Sequence, residues 1–367
     1  MKAPVEARNH QLDGLRGYAA LAVVFFHSVF FDPTMAGRVL GRDFSELKGW
    51  YDLLAKLLLI IFNGQAAVVI FFILSGAVLF ESLQREKGSI SSVVGKFLIR
   101  RFFRIYPALV VCLLTCWVAF YFLTTPRSVE QLLQNIFLLD FPVNGPTWTL
   151  NVEALGALFL IAAFVAFQAF GEVGVIVVGC VFGALYLQPF NGHLTMFKMF
   201  IYCFTLGALI ATRLGKWVID VIPTRSWPII LIGMLVARGS IQETIAALLV
   251  GLLYYRKAGS LGDFLSRPTS VFLGSVSYSV YLFNVLFLEI IVYRTRENPL
   301  FHSYPIEFGA IMGVIIVVLT VPIAYLSLRF VERPFIRMSR YLTRTRDKAA
   351  AVSSIAADGK ALDGSVV

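Results

Sequence analysis

Apolar windows of roughly 18 or more residues recur along nearly the whole chain, and each is long enough to cross a hydrocarbon layer about 30 Å thick. A chain patterned in this way has few choices. Its backbone must satisfy its own hydrogen bonds within lipid, so the runs read as helices. Composition agrees: of 367 residues, 58% are hydrophobic and only 15% charged, with a mean hydropathy of +0.78. The first apolar run follows a polar stretch, MKAPVEARNHQLDGLR, with no small-residue cleavage pattern after it, and is expected to be retained as a span.

The expected fold class is all-α, a polytopic membrane helix bundle of about ten transmembrane helices. The runs fall near 13–32, 60–83, 100–123, 150–170, 173–187, 196–213, 227–238, 241–255, 270–293 and 307–330. The seventh and eighth are short and meet at Arg238-Gly239-Ser240, so they also read as a hairpin that crosses only in part. Residues 1–345 form one transmembrane domain, and the Ala/Ser/Gly/Asp-rich segment 346–367 reads as a disordered cytoplasmic tail.

The net charge of +10 reflects topology, since the basic residues are dispersed among short loops and form no aromatic-interleaved face for nucleic acid. Alternate connections carry most of them: Arg85 to Arg104, Arg213 to Arg225, Arg256 to Arg267, and Arg329 to Lys348. By the positive-inside rule these face the cytoplasm, with both termini there. Segments 31–51 and 124–149 then become the larger outer loops, the second with an amphipathic piece, SVEQLLQNIFLLD, that suits a membrane surface. Cys112, Cys116, Cys180 and Cys203 lie in apolar runs and read as structural; no metal site, P-loop or GxSxG elbow emerges.

Ionisable groups inside spans are costly, which makes them functional candidates. His27 lies deep in the first run, eleven positions after Arg16. Eleven residues return to within about 20° of the same helix face, roughly 16 Å along the axis. The pair reads either as a catalytic face or as an anchor plus an interhelical histidine. Glu153 opens the fourth run near the outer side, at a depth comparable to His27; it reads as the partner of an imidazole base or as a helix N-terminal acid. In LIRRFFRIYP, Arg100, Arg101 and Arg104 suit phosphate oxygens or set topology, and Tyr106 follows them. Trp148 is placed at the outer entrance, as an acceptor platform or a belt residue. Asn63, Gln65, Ser75, Ser275, Ser277, Tyr278 and Asn284 line a cavity or bond between helices. His10, His193 and His302 fall in tails or loops and carry no expected chemistry.

Together these pieces resemble the acyltransferase family 3 membrane O-acyltransferases. The pieces are LDGLRGYAALAVVFFHS with Arg16 and His27, GQAAVVIFFILSGAVL, RRFFRIYP, WTLNVE, LGSVSYSVYLFN and RFVERP, in that order from about residue 11 to 340. The family often has a histidine shortly after the tyrosine and leucine of its penultimate helix. Here Tyr281-Leu282-Phe283 leads to Asn284, which does not titrate near neutral pH. The resemblance implies a stand-alone enzyme of a bacterial inner membrane, taking an acyl group, expected to be acetyl, from cytoplasmic acyl-CoA to a carbohydrate hydroxyl. No bound cofactor is implied; acyl-CoA is a co-substrate. In that reading His27 is the general base with Arg16 and Glu153 beside it. Arg100, Arg101, Arg104 and Tyr106 hold the donor, and Trp148, Tyr278 and Asn284 meet the acceptor. A transporter or proton path without chemistry is the competing reading, since His, Glu and Arg in spans also build such routes.

Overall fold

The computed structural model describes residues 8–184 and 193–344, and the tail expected at 346–367 lies outside them. Among the described residues all regular structure is helical. The helices are α1 (His10–Val29), α2 (Pro33–Val39), α3 (Gly49–Ile61), α4 (Gly64–Arg85), α5 (Ile90–Leu123) and α6 (Val129–Ile136). They continue with α7 (Trp148–Ala184), α8 (His193–Ile210), α9 (Arg213–Asp220), α10 (Trp227–Val236), α11 (Gly239–Tyr254), α12 (Gly259–Leu265), α13 (Pro268–Thr295), α14 (Pro299–Ser303) and α15 (Pro305–Ser327). A π turn over Leu328–Glu332 leads into a last helix, α16, at 333–344.

The expected runs are helical over most of their described lengths, residues 185–187 of the fifth lying outside the described residues, but the count of ten spans is not reached by length. Among the described residues, five helical stretches are long and apolar enough to cross a membrane, or seven if the bent pairs α1–α2 and α8–α9 each count as one span. The apolar helices around α10 and α11 fall short of the length required. The chain is thus a multi-pass membrane protein whose shorter helices pack beside full-length ones.

The two runs expected at 150–170 and 173–187 lie in α7, where Gly171 adopts φ 60° and ψ −145°. The rings of Phe159 and Phe182 are 5.4 Å apart, whereas 23 residues of straight helix would separate them by about 35 Å. Gly174 packs directly on the Ala166 backbone. The chain therefore reverses at Gly171, a conformation that a Cβ would strain.

At the centre of the bundle, α1 is packed between α4, α13 and α15. Its approach to α13 is at backbone distance. A Cβ on Gly17 would stand 2.7 Å from the Gly274 nitrogen, and one on Gly274 only 2.0 Å from the Asp13 carbonyl oxygen. Without a water-driven force between helices in lipid, such small-residue contact is what holds them together.

Much of the segment expected as a large outer loop, 124–149, is exposed, but its part around 143–147 enters the bundle. The buried Asn144 donates from Nδ2 to the carbonyl of Leu282 (2.9 Å), at the midpoint of α13, and Tyr281 donates its hydroxyl proton to the Pro146 carbonyl (2.7 Å). Asn135 of α6, also buried, donates to the Thr147 hydroxyl (2.7 Å) and accepts from the N–H groups of Val143 and Asn144. Non-helical backbone is tolerated at this depth because neighbouring protein satisfies its polar groups.

On the far side of the bundle from the arginine-rich helix ends, His302 bonds Asp32 (3.0 Å) and the Arg296 carbonyl (2.9 Å), tying α14 to the α1–α2 turn. The Asp32 carboxylate first, and the carbonyl second, raise the His302 pKa above its ordinary 6.5. A raised folded-state pKa means the stabilisation is complete below the ordinary value and fades as pH climbs through the raised one. Two outcomes follow. The difference in melting temperature between the wild type and His302→Gln narrows as pH rises above about 6.5. Gly274→Leu, which forces a side chain into the α1 backbone, costs about 4 kcal/mol or more and removes the monodisperse peak in gel filtration.

Candidate functional site

Between α1, α4, α5, α7, α13 and α16 lies a cavity of about 500 Å³. Helix periodicity decides which side chains reach it. On α5, Arg101, Arg104 and Ile105 share the inward face and line the space, whereas Arg100 and Tyr106 do not. Arg100 donates instead to Glu86 (2.5 Å), which also holds Lys96, and Tyr106 stacks on Phe102 with centroids 4.8 Å apart. The arginine cluster, one patch in sequence, is divided between a cavity wall and the α4–α5 hairpin.

The cavity carries its own acids. Arg101 lies 3.0 Å from a Glu153 oxygen, and the other Glu153 oxygen accepts from Ser75 (2.6 Å). Arg104 donates to Glu332 (2.6 Å), whose fully buried carboxylate also accepts from Ser279 (2.7 Å). Asp13, buried at the start of α1, accepts from Arg8 (2.6 Å) and stands 3.8 Å from Arg16. The Tyr278 hydroxyl donates to the Ile105 carbonyl (2.7 Å), and the Arg104 guanidinium lies 5.6 Å from that ring's centroid. The buried Nε of Arg101 has no acceptor among the described residues. An orphaned donor of this kind is costly, so the site suits an acceptor atom from a ligand.

Glu153 is therefore at the level of Arg16 and Arg101 and does not sit beside His27. The reason is the inserted loop, which starts α7 deep in the bundle instead of at its surface. Trp148 follows: half-buried, its indole packs against Phe72 and Phe200, with centroids 6.3 and 5.7 Å away. Asn284 is buried and donates to the carbonyls of Val280 and Tyr281 on its own helix, away from the cavity. Asn63 caps α4 and donates to the Leu235 carbonyl.

His27 is half-buried, and its ring meets Phe26 edge-on. It finds no hydrogen-bond partner among the described residues, and it is not part of the cavity wall. Gly64 packs on the Phe26 ring, and Val68, the wall residue of α4 nearest to Gly64, lies about 6 Å farther along that helix. The wall thus stops short of the imidazole, with Val68, Phe71 and Tyr281 toward that end; the Phe71 and Tyr281 rings are 6.1 Å apart. Arg16 lines the cavity and His27 continues the same face of α1 beyond it.

The residues that sequence reasoning passed over are Asp13, Glu332, Thr149 and Tyr281, together with Arg333, Arg337 and Arg340, which also line the cavity. Glu332 had one available signal, an acid immediately after the last long apolar run. A second space of about 740 Å³ adjoins the first and shares Arg8, Asp13 and Arg16 with it, adding Glu81, Tyr254 and Tyr255.

Since Glu332 is fully enclosed, Arg104→Ala leaves an unpaired buried carboxylate and costs about 3–5 kcal/mol. Glu332→Gln is milder, because Gln still accepts from Ser279 and Arg104 reaches solvent in part. Thermal unfolding in detergent should rank the two in that order.

A family model described as an acyltransferase domain matches residues 9–329 of the chain. No curated protein and no solved structure matches it.

Proposed function

Because the chain belongs to the acyltransferase family 3, we propose that it moves an acyl group, acetyl in the simplest case, from acyl-CoA to a hydroxyl of a carbohydrate. The observation that supports this reading is the shape of the cavity's charge. Arginines crowd the end shared by α1, α5 and α16, while Val68, Phe71, Thr149 and Tyr281 form a largely uncharged inner end. A donor that is anionic at one end and a neutral thioester at the other fits that gradient.

In this reading the arginine-rich end, with both termini, faces the cytoplasm of a bacterial inner membrane, in keeping with the positive-inside rule. Arg16, Arg101 and Arg104 bind the donor from that side. To bring the thioester carbonyl to His27, the pantetheine arm extends past the end of the cavity, by the Phe71–Tyr281 ring pair and along the α1 face, which requires those rings to give way. The acceptor approaches from the opposite side. Its hydroxyl gives its proton to the imidazole as its oxygen bonds the acyl carbon. The carbon–sulfur bond breaks, and the thiolate leaves as the CoA thiol after taking the proton back from the imidazolium. Glu153 acts by holding Arg101 and Ser75 in place, and not as a direct partner of His27.

His27→Ala should lower transfer of label from acetyl-CoA to membrane glycans by about 10²–10⁴-fold while the purified protein stays folded. Arg16→Ala should impair it less. Full activity in folded His27→Ala removes the proposed base.

A further inference from the structure

The arginines of α16 contribute to the charge at the cavity mouth but have no individual role in the reading so far. Arg333, Arg337 and Arg340 recur at i, i+4 and i+7, so they lie on one face of the helix. All three line the cavity from its exposed rim. Two of them, Arg337 and Arg340, follow the last quoted motif, RFVERP, and the family model itself ends at residue 329.

Their charge is uncompensated. Arg8, Arg16, Arg101 and Arg104 each have a carboxylate within 4 Å. None of the three α16 arginines has an ion-pair, hydrogen-bond or ring partner among the described residues. A row of unpaired guanidinium groups at a cavity mouth raises the local positive potential there, which favours an entering anion. The row extends about 10 Å along the helix, which is more than one phosphate group can span. Planar forks in this arrangement suit phosphate oxygens on two separate groups.

We infer that α16 is a clamp for the nucleotide end of the donor, in which Arg337 and Arg340 read the 3′-phosphate of acyl-CoA and Arg333 neighbours its pyrophosphate. This rests on the donor proposed above. The order follows from chemistry and position: the pyrophosphate is nearer the thioester, and Arg333 is nearer to Arg104 through Glu332. The 3′-phosphate is the more distant group and meets the more distant arginines. The clamp makes α16 the element that distinguishes a 3′-phosphorylated donor from one lacking that group. An acidic lipid headgroup shares the same phosphate chemistry, and the test separates the two sources.

The full chain is placed in nanodiscs of phosphatidylcholine alone, and binding of CoA and of 3′-dephospho-CoA is measured by calorimetry. The wild type should bind CoA about tenfold more tightly than dephospho-CoA. The double variant Arg337→Gln/Arg340→Gln should lose that preference and bind both at the dephospho-CoA level, with its melting temperature and its KM for the acceptor unchanged. Arg337→Lys/Arg340→Lys should recover part of the preference. Equal binding of both ligands by the wild type overturns the clamp and leaves the donor reading intact. A preference that survives the double Gln variant also overturns it. So does an effect of the variant seen only when phosphatidylglycerol is added, which would make the stripe a headgroup site. No CoA binding by the wild type at all would take down the donor reading as well.

Discussion

The close contact of α1 with α13 is the constraint on which the site depends. Gly17 and Gly274 let the two backbones meet at a separation no side chain would permit. That contact fixes where Asp13 and Arg16 point relative to Ser277, Tyr278 and Tyr281, all of which share the cavity wall. In lipid the helices gain little from apolar contact as such, so backbone proximity and satisfied polar groups must supply the specificity. The charged groups of the inner cavity wall survive in this setting because they are paired. Glu153 and Glu332 neutralise Arg101 and Arg104, and Asp13 serves Arg8 and Arg16.

The pairing has a functional consequence. Arginines held by buried carboxylates are fixed in direction but have lost part of their appetite for phosphate, whereas those of α16 at the rim are unpaired among the described residues. The wall thereby divides into a rigid inner part that positions and an outer part that attracts.

The inserted loop supplies the second half of the architecture. By donating from Asn144 to Leu282 and accepting at Pro146 from Tyr281, it starts α7 near the middle of the bundle. Glu153, one turn and a half later, then reaches Arg101. This single displacement accounts for two differences between expectation and structure: the depth of Glu153 and its distance from His27.

The sequence by itself determined that the chain is helical and crosses a membrane repeatedly, because apolar length and hydropathy are local properties. It also set the ionisable residues worth watching, since charges in apolar runs are costly wherever they fall, and Arg16, Arg101, Arg104, Glu153 and Tyr278 do meet at one cavity. Residue order carried the family resemblance as well. Only the tertiary structure decided the partners. Arg100 and Arg101 are neighbours in the chain, yet 100° of helical rotation sends one to Glu86 and the other to Glu153. Glu332 and Arg104 are 228 residues apart and meet because α5, α13 and the π turn converge. The loop at 137–147 reads as external from its place between two apolar runs, but it enters the core because Asn135, Asn144 and Thr147 bond one another there, a set of contacts that depends on which groups fold together and that no local pattern records.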